Sequence, residues 1–309
     1  MERVLVIGAF GQLGSELTDE LRKLYGEQNV IASDLTVAKA QAERGPFEQL
    51  DVLDRERLGQ IVEKHKITQI YNLAAILSSI GESKPGIAWN VNMNGLVNVL
   101  ELAREKNLNK IYWPSSIAVF GPDTPKVMTP QETVMNPTTM YGVNKLAGEK
   151  LCQYYFQKFG VDVRSVRYPG LVGYKAMPGG GTTDYAVDIY FKAKQGEEFN
   201  CFLDKGTVLP MMYMEDAIRG TIQLMESPAE QVKIRTSYNL AGMSFAPEEI
   251  GESIQKIIPD FKMVYKPDHR QAIAESWPDS IDDQFARAHW NWAPKFDLDA
   301  MTKDILEHI

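Results

Sequence analysis

The chain has 309 residues, 44% of them hydrophobic, which suits one large α/β unit or a nucleotide-binding domain with a smaller cap. Its net charge of −8 argues against nucleic acid as a partner, and no apolar run approaches the roughly 20 residues that cross a bilayer, so no membrane partner is expected. Cys152 and Cys201 stand outside any CxxC or zinc-ligand spacing, which points to a reduced compartment and no metal site; with no targeting segment ahead of Val4, a cytoplasmic location is expected.

Over the first two thirds, short apolar runs at 3–7, 30–33, 68–74, 110–114 and 161–168 read as strands. Between them, 13–25, 55–65, 88–104 and 141–159 carry apolar residues at helical spacing and fit crossover helices. Strand and helix in alternation specify a parallel sheet covered on both faces. After Pro169 the rhythm changes to a glycine-rich loop at 178–181 and shorter mixed elements, down to a final helix near 298–309. The expected fold is therefore α/β: a Rossmann-type doubly wound parallel sheet over residues 1–169, then a smaller C-terminal substrate-binding lobe over 170–309 with some elements returning to the main sheet.

Gly8, Gly11 and Gly14 follow the first strand and open the first helix. Glycines there permit a tight turn and close approach of backbone to a pyrophosphate, which the helix N-terminus attracts. Gln12 and Leu13 lie within the turn and belong to the same cofactor site. Asp34 ends the second strand twenty residues past Gly14, where it would accept hydrogen bonds from both ribose hydroxyls and repel a 2′-phosphate. Leu35 and Thr36 follow without an arginine, so NAD is expected rather than NADP. Asp51, with Val52 beside it, is placed for the adenine end; an N-cap for the helix at Arg55 is the competing role. Leu73, Ala74 and Ala75 either line the nicotinamide side or pack in the core. Asn92 either bonds backbone near the cofactor or caps a solvent-facing turn. Tyr168, at the end of the fifth run, completes the cofactor set.

Tyr141 and Lys145 are spaced i, i+4 and emerge on one helix face. Tyr154/Lys158 and Tyr190/Lys194 repeat that spacing, so the pair gains weight from Ser115 and Ser116, which end the preceding strand. A tyrosine with pKa near 10 offers only about one phenolate in a thousand at pH 7. An adjacent ammonium favours the anion, and a drop of about three units would match the base to neutral pH. Lys145 would supply that charge and hold the nicotinamide ribose, Tyr141 would take the proton, and Ser116 would fix the substrate oxygen. The Met211 to Met214 run reads as adaptable core, and His65 and His289 as ordinary packing or surface residues.

GAFGQLG, Asp34, SSIAVFG and YGVNK together resemble the extended short-chain dehydrogenase/reductase family over essentially the whole chain. More narrowly, WPSSIAVFGP, RYPGLVG, PGGGTTDYAVDIY, LPMMYMEDA and SWPDSIDD resemble its L-threonine 3-dehydrogenase branch. The resemblance implies NAD-dependent oxidation of L-threonine to 2-amino-3-oxobutanoate, with substrate contacts from Ser79, Thr183 and Asp184, and a homodimer. Gly181 joins these contacts through the mobile glycine segment, and Asp184 would meet the substrate ammonium or else cap the helix starting near Tyr185. One departure from the wider family is Tyr168-Pro169-Gly170, where sugar-nucleotide relatives usually carry asparagine. An NDP-sugar epimerase or dehydratase would need basic groups in the lobe, and 176–189 has none. A non-catalytic NAD sensor could have discarded the Ser/Tyr/Lys trio, which is intact here.

Overall fold

The computed structural model describes residues 2–37, 44–176 and 179–309. The chain opens with strand β1 (Val4–Ile7), helix α1 (Gln12–Tyr25), β2 (Val30–Asp34), β3 (Phe47–Gln49), α2 (Arg55–His65) and β4 (Gln69–Asn72). Helices α3 (Ser78–Ser83) and α4 (Pro85–Trp89), a π turn at Asn90–Asn94 and α5 (Gly95–Lys106) lead to β5 (Lys110–Tyr112). Then come β6 (Ser115–Ser116), the long helix α6 (Met140–Phe159), β7 (Val163–Arg164), β8 (Val166–Tyr168) and β9 (Gly170–Val172). The last part holds α7 (Tyr185–Lys194), β10 (Phe199–Cys201), β11 (Leu209–Tyr213), α8 (Met214–Glu226), β12 (Tyr238–Asn239), β13 (Met243–Phe245) and β14 (Met263–Tyr265), and closes with the helix Leu298–His308.

Six strands form the central sheet in the order β3-β2-β1-β4-β5-β7, with every pairing parallel. The order reverses between β1 and β4, the place where open α/β sheets bind ligands at their carboxyl ends. Residues of β1 alternate between the two covered faces. Val4 and Val6 pack with Leu17 and Leu21 of α1 and Leu224 of α8, whereas Leu5 and Ile7 pack with Leu58 and Ile61 of α2 and Val99 of α5. Each such side chain, fully buried, contributes about 1.5–3 kcal/mol. The Met211 to Met214 run is buried core as expected.

Two expected elements differ in detail. The run 161–168 is not one strand: β7 extends the central sheet beside β5, while β8 pairs with β6 and β12. The break falls at Ser165, whose carbonyl accepts from Tyr238 N and whose hydroxyl meets that of Ser237, so the chain steps from one ladder to the next. The helix expected at 88–104 starts earlier, at Pro85, and passes through the π turn at 90–94. That turn places Asn92 inward. Both cysteines are free and buried, and among the described residues no cluster of potential metal ligands and no helix long and apolar enough to cross a membrane occurs.

Candidate active site

The glycine turn is built by close contact. Gly8 sits at φ +81°, and a Cβ there would meet Ala74 N at 2.9 Å; a Cβ on Gly14 would meet the Gly8 carbonyl oxygen at 2.1 Å. Gly11 is the N-cap of α1 and makes no side-chain cap, so the first-turn amides have no capping side chain among the described contacts. The Asp34 carboxylate accepts from Phe10 N at 3.0 Å and thus lies directly against this turn. Arg44 pairs with Asp19 at 2.6 Å.

A cleft of about 260 Å³ opens beside the turn, at the carboxyl ends of β1 and β4. Gly8, Gly11, Gln12, Leu13 and Gly14 line it together with Leu73 and Ala75, and Ser116, Tyr141, Lys145 and Tyr168 line its inner part. Gly181, Thr183 and Asp184 enter from the segment after β9. The cofactor motif, the Ser/Tyr/Lys trio and the acidic loop therefore share one space. The amide nitrogen of Gln12 is buried there without a hydrogen-bond partner, which fits a polar ligand such as a dinucleotide pyrophosphate. A larger groove between α1 and α8, lined by Glu16, Asp19, Lys23 and Glu215, holds none of these motifs.

Asp34, Asp51, Val52, Ala74 and Asn92 do not line the cleft. Ala74 forms the surface on which Gly8 rests. Asn92 is buried, bonds both amide and carbonyl of Ile76, and donates to Asn144 Oδ1 at 3.0 Å, so it holds backbone and is neither a cap nor solvent-facing. Asp51 is exposed and accepts from Leu53 N; Asp54 is the cap of α2, accepting from Arg57 N, so the capping role considered for Asp51 is wrong. Val52 is buried against Gly95, as core. Ser79 belongs to α3, and its side chain lies outside the described residues. Pro178 of the glycine loop lies outside them too.

Lys145 Nζ donates to the Pro114 carbonyl at 2.6 Å and sits 4.5 Å from the Trp113 ring centroid and 5.4 Å from that of Tyr141. Burial pushes its ammonium down to about 7, opposed by Cys152 and Glu149. Burial likewise pushes the Tyr141 phenol up to about 12, with the Ser116 hydroxyl pulling the other way. The lowered tyrosine pKa expected beside Lys145 is not produced by the protein groups alone: desolvation of the phenol outweighs the pull of the Ser116 hydroxyl, and burial pushes Lys145 itself toward its neutral form. Tyr168 is buried, and its hydroxyl receives that of Tyr112 at 2.7 Å and meets Thr221.

Asp184 occupies the N-cap position of α7 yet makes no forward cap. Its Oδ2 instead accepts from Gly180 N at 2.7 Å and Gly181 N at 2.5 Å, fastening the glycine segment, so the capping role weighed for it is replaced by a loop clasp. Burial raises its carboxyl above the ordinary value, although both amides oppose the shift.

Of the residues not singled out from sequence, Trp277 and Glu149 bear most on the site. Trp277 lines the cleft, and no local spacing announces it, because it arrives from far along the chain. Glu149 stands one turn beyond Lys145 on the same face of α6, a spacing the sequence does display.

A family model described as the NAD dependent epimerase/dehydratase family matches residues 4–241. A Staphylococcus aureus protein described as an uncharacterized epimerase/dehydratase is 52% identical over all of this chain and 97% of its own length. The holo form of a GalE-like L-threonine dehydrogenase from Cupriavidus necator superposes with a TM-score of 0.97 at 54% identity, covering 99% of each chain. A monomeric L-threonine 3-dehydrogenase of metagenomic origin superposes with a TM-score of 0.95 at 48% identity, covering 98% of this chain and 97% of its own.

Proposed function

The chain belongs to the NAD-dependent epimerase/dehydratase family and uses NAD; from that premise we propose that it oxidises L-threonine to L-2-amino-3-oxobutanoate. The observation that carries this reading is the charge of the cleft, where among the described residues the charged lining side chains are Lys145 and Asp184, on separate elements, and no arginine lines it. An amino acid substrate brings an ammonium for Asp184 and a carboxylate for which Thr183 is a neutral donor. A sugar diphosphate would need cationic groups beyond Lys145, and the described lining offers none, which weighs against epimerisation of a sugar nucleotide.

Gly8 to Gly14 would hold the pyrophosphate, Asp34 the adenosine ribose and Lys145 the nicotinamide ribose. When bound, NAD supplies the acceptor for the hydride that leaves the carbinol carbon. Tyr141 takes the hydroxyl proton, and Ser116 donates to the same oxygen and keeps it in place. The segment from Gly170 onward acts as the substrate-binding lobe, with its glycines allowing closure. We propose a homodimer as the assembly; the monomer named for the metagenomic relative is the alternative, and light scattering separates the two.

The test is NADH formation followed at 340 nm with L-threonine, its stereoisomers, serine and UDP-sugars. L-threonine should give the highest kcat/KM. Conversion of a UDP-sugar without net NADH, and no turnover of threonine, would place the chain with the epimerases.

A further inference from the structure

The backbone leading to Ser116 is tied to α6 at successive turns. Lys145 Nζ donates to the carbonyl of Pro114, and one turn later Glu149 Oε1 accepts from the hydroxyl of Ser115 at 2.7 Å. Glu149 is 0% exposed and faces Arg167, itself 1% exposed, through two parallel hydrogen bonds of 2.8 Å each. Arg167 Nη1 donates further to the Gln131 carbonyl and to Asn239 Oδ1.

A fully buried ion pair is a poor source of net stability, because desolvating both charges offsets their attraction and an apolar pair of similar volume would hold the fold as well. What it provides is a fixed point. The carboxylate cannot shift without leaving a guanidinium unpaired, and the Ser115 hydroxyl is bound to it. Ser116 is the next residue, in extended backbone, and its Oγ accepts from Ala118 N at 3.2 Å; the pinned Ser115 fixes the backbone from which that side chain departs.

From this geometry we propose that Glu149 is a positioning residue for the oxidation. Clasped by Arg167, it anchors Ser115 and thereby keeps the neighbouring Ser116 hydroxyl aimed at the substrate oxygen. This rests on the reading of Ser116, Tyr141 and Lys145 as the reacting trio.

Ser115→Ala removes the anchored hydroxyl and leaves the Glu149–Arg167 pair intact, so the fold is not put at risk as it is by Glu149→Gln, which strands Arg167. With L-threonine as the probe, Ser115→Ala should lower kcat about tenfold while KM for NAD and for threonine stay within about twofold, and Ser115→Thr should recover most of the loss. If Glu149→Gln folds, its loss and that of Ser115→Ala should not multiply in the double variant. Wild-type kcat in Ser115→Ala, or a loss confined to KM, overturns the proposal. Tyr141→Phe is measured alongside: full turnover there defeats the Ser/Tyr/Lys reading itself, whereas its loss beside an unaffected Ser115→Ala defeats only the positioning role.

Discussion

Helix α6 and the segment 179–184 face the same cleft but are held in different ways. On α6 three buried polar tips have fixed protein partners: Asn144 with Asn92, Lys145 with Pro114, and Glu149 with Ser115 and Arg167. The helix is closed by the Thr139 side chain at one end and by Gly160 at φ +73° at the other. The opposite segment is gathered by one carboxylate, Asp184, that accepts from two amides, and by backbone bonds from Asp184 N to the Gly181 carbonyl and from Ala186 N to that of Thr183, and around Gly180 a Cβ would meet nothing within 4 Å. One wall is over-determined and suits chemistry that tolerates no misalignment; the other can rearrange around a substrate. Substitutions on α6 should therefore act on kcat, and those in the segment on KM.

The largest expected effect is that of Tyr141→Phe. It removes one oxygen at the chemical step, so kcat should fall by about 10³-fold or more, roughly 4 kcal/mol, with NAD binding preserved. Tyr154, which is 51% exposed and stacked edge-on against Tyr155 and Phe159, is the matched control, and Tyr154→Phe should be silent. An equal loss in the control would break the contrast. A smaller effect, on the other wall, is expected from Asp184→Asn: asparagine keeps an acceptor for the glycine amides but carries no charge, so KM for threonine should rise about tenfold, or about 1.4 kcal/mol, with kcat less affected. An unchanged KM would mean that the carboxylate serves only the loop.

A further effect, on stability rather than turnover, sharpens the electrostatics of the α6 wall. Burial holds Lys145 near 7 in the folded protein, against 10.5 ordinarily. Between those values the folded state has released a proton that the unfolded chain keeps, so stability should increase with pH across that window and level off below 7, where both states hold the proton. Comparing Tm of wild type and Lys145→Met without NAD from pH 6 to 9, the wild type should gain relative to the variant as pH rises. Parallel curves would show that the ammonium is not desolvated.

Much of this arrangement was legible in the sequence because it is local. The glycine turn, Asp34 and the i, i+4 pair of Tyr141 and Lys145 are read within one βα unit or one helix face, and the structure brings the turn and the pair together with Ser116. The reading failed where a distant partner decides. The split at Ser165 is set by β12, some seventy residues on. Asp184 had a plausible forward cap but bends back to two glycines, since the extended loop offers it two amides at once. Trp277 enters the cleft with no periodicity to announce it, and the tie of Glu149 to Ser115 and Arg167 joins three elements that no local pattern links.

The central claim, net hydride removal from the carbinol carbon of threonine, is tested most directly with L-threonine deuterated at C3. Mass spectrometry of the reduced cofactor should find one deuterium per turnover, in step with formation of the amino ketone. Reduced cofactor without deuterium, or return of the label to the substrate with no net NADH, would contradict it.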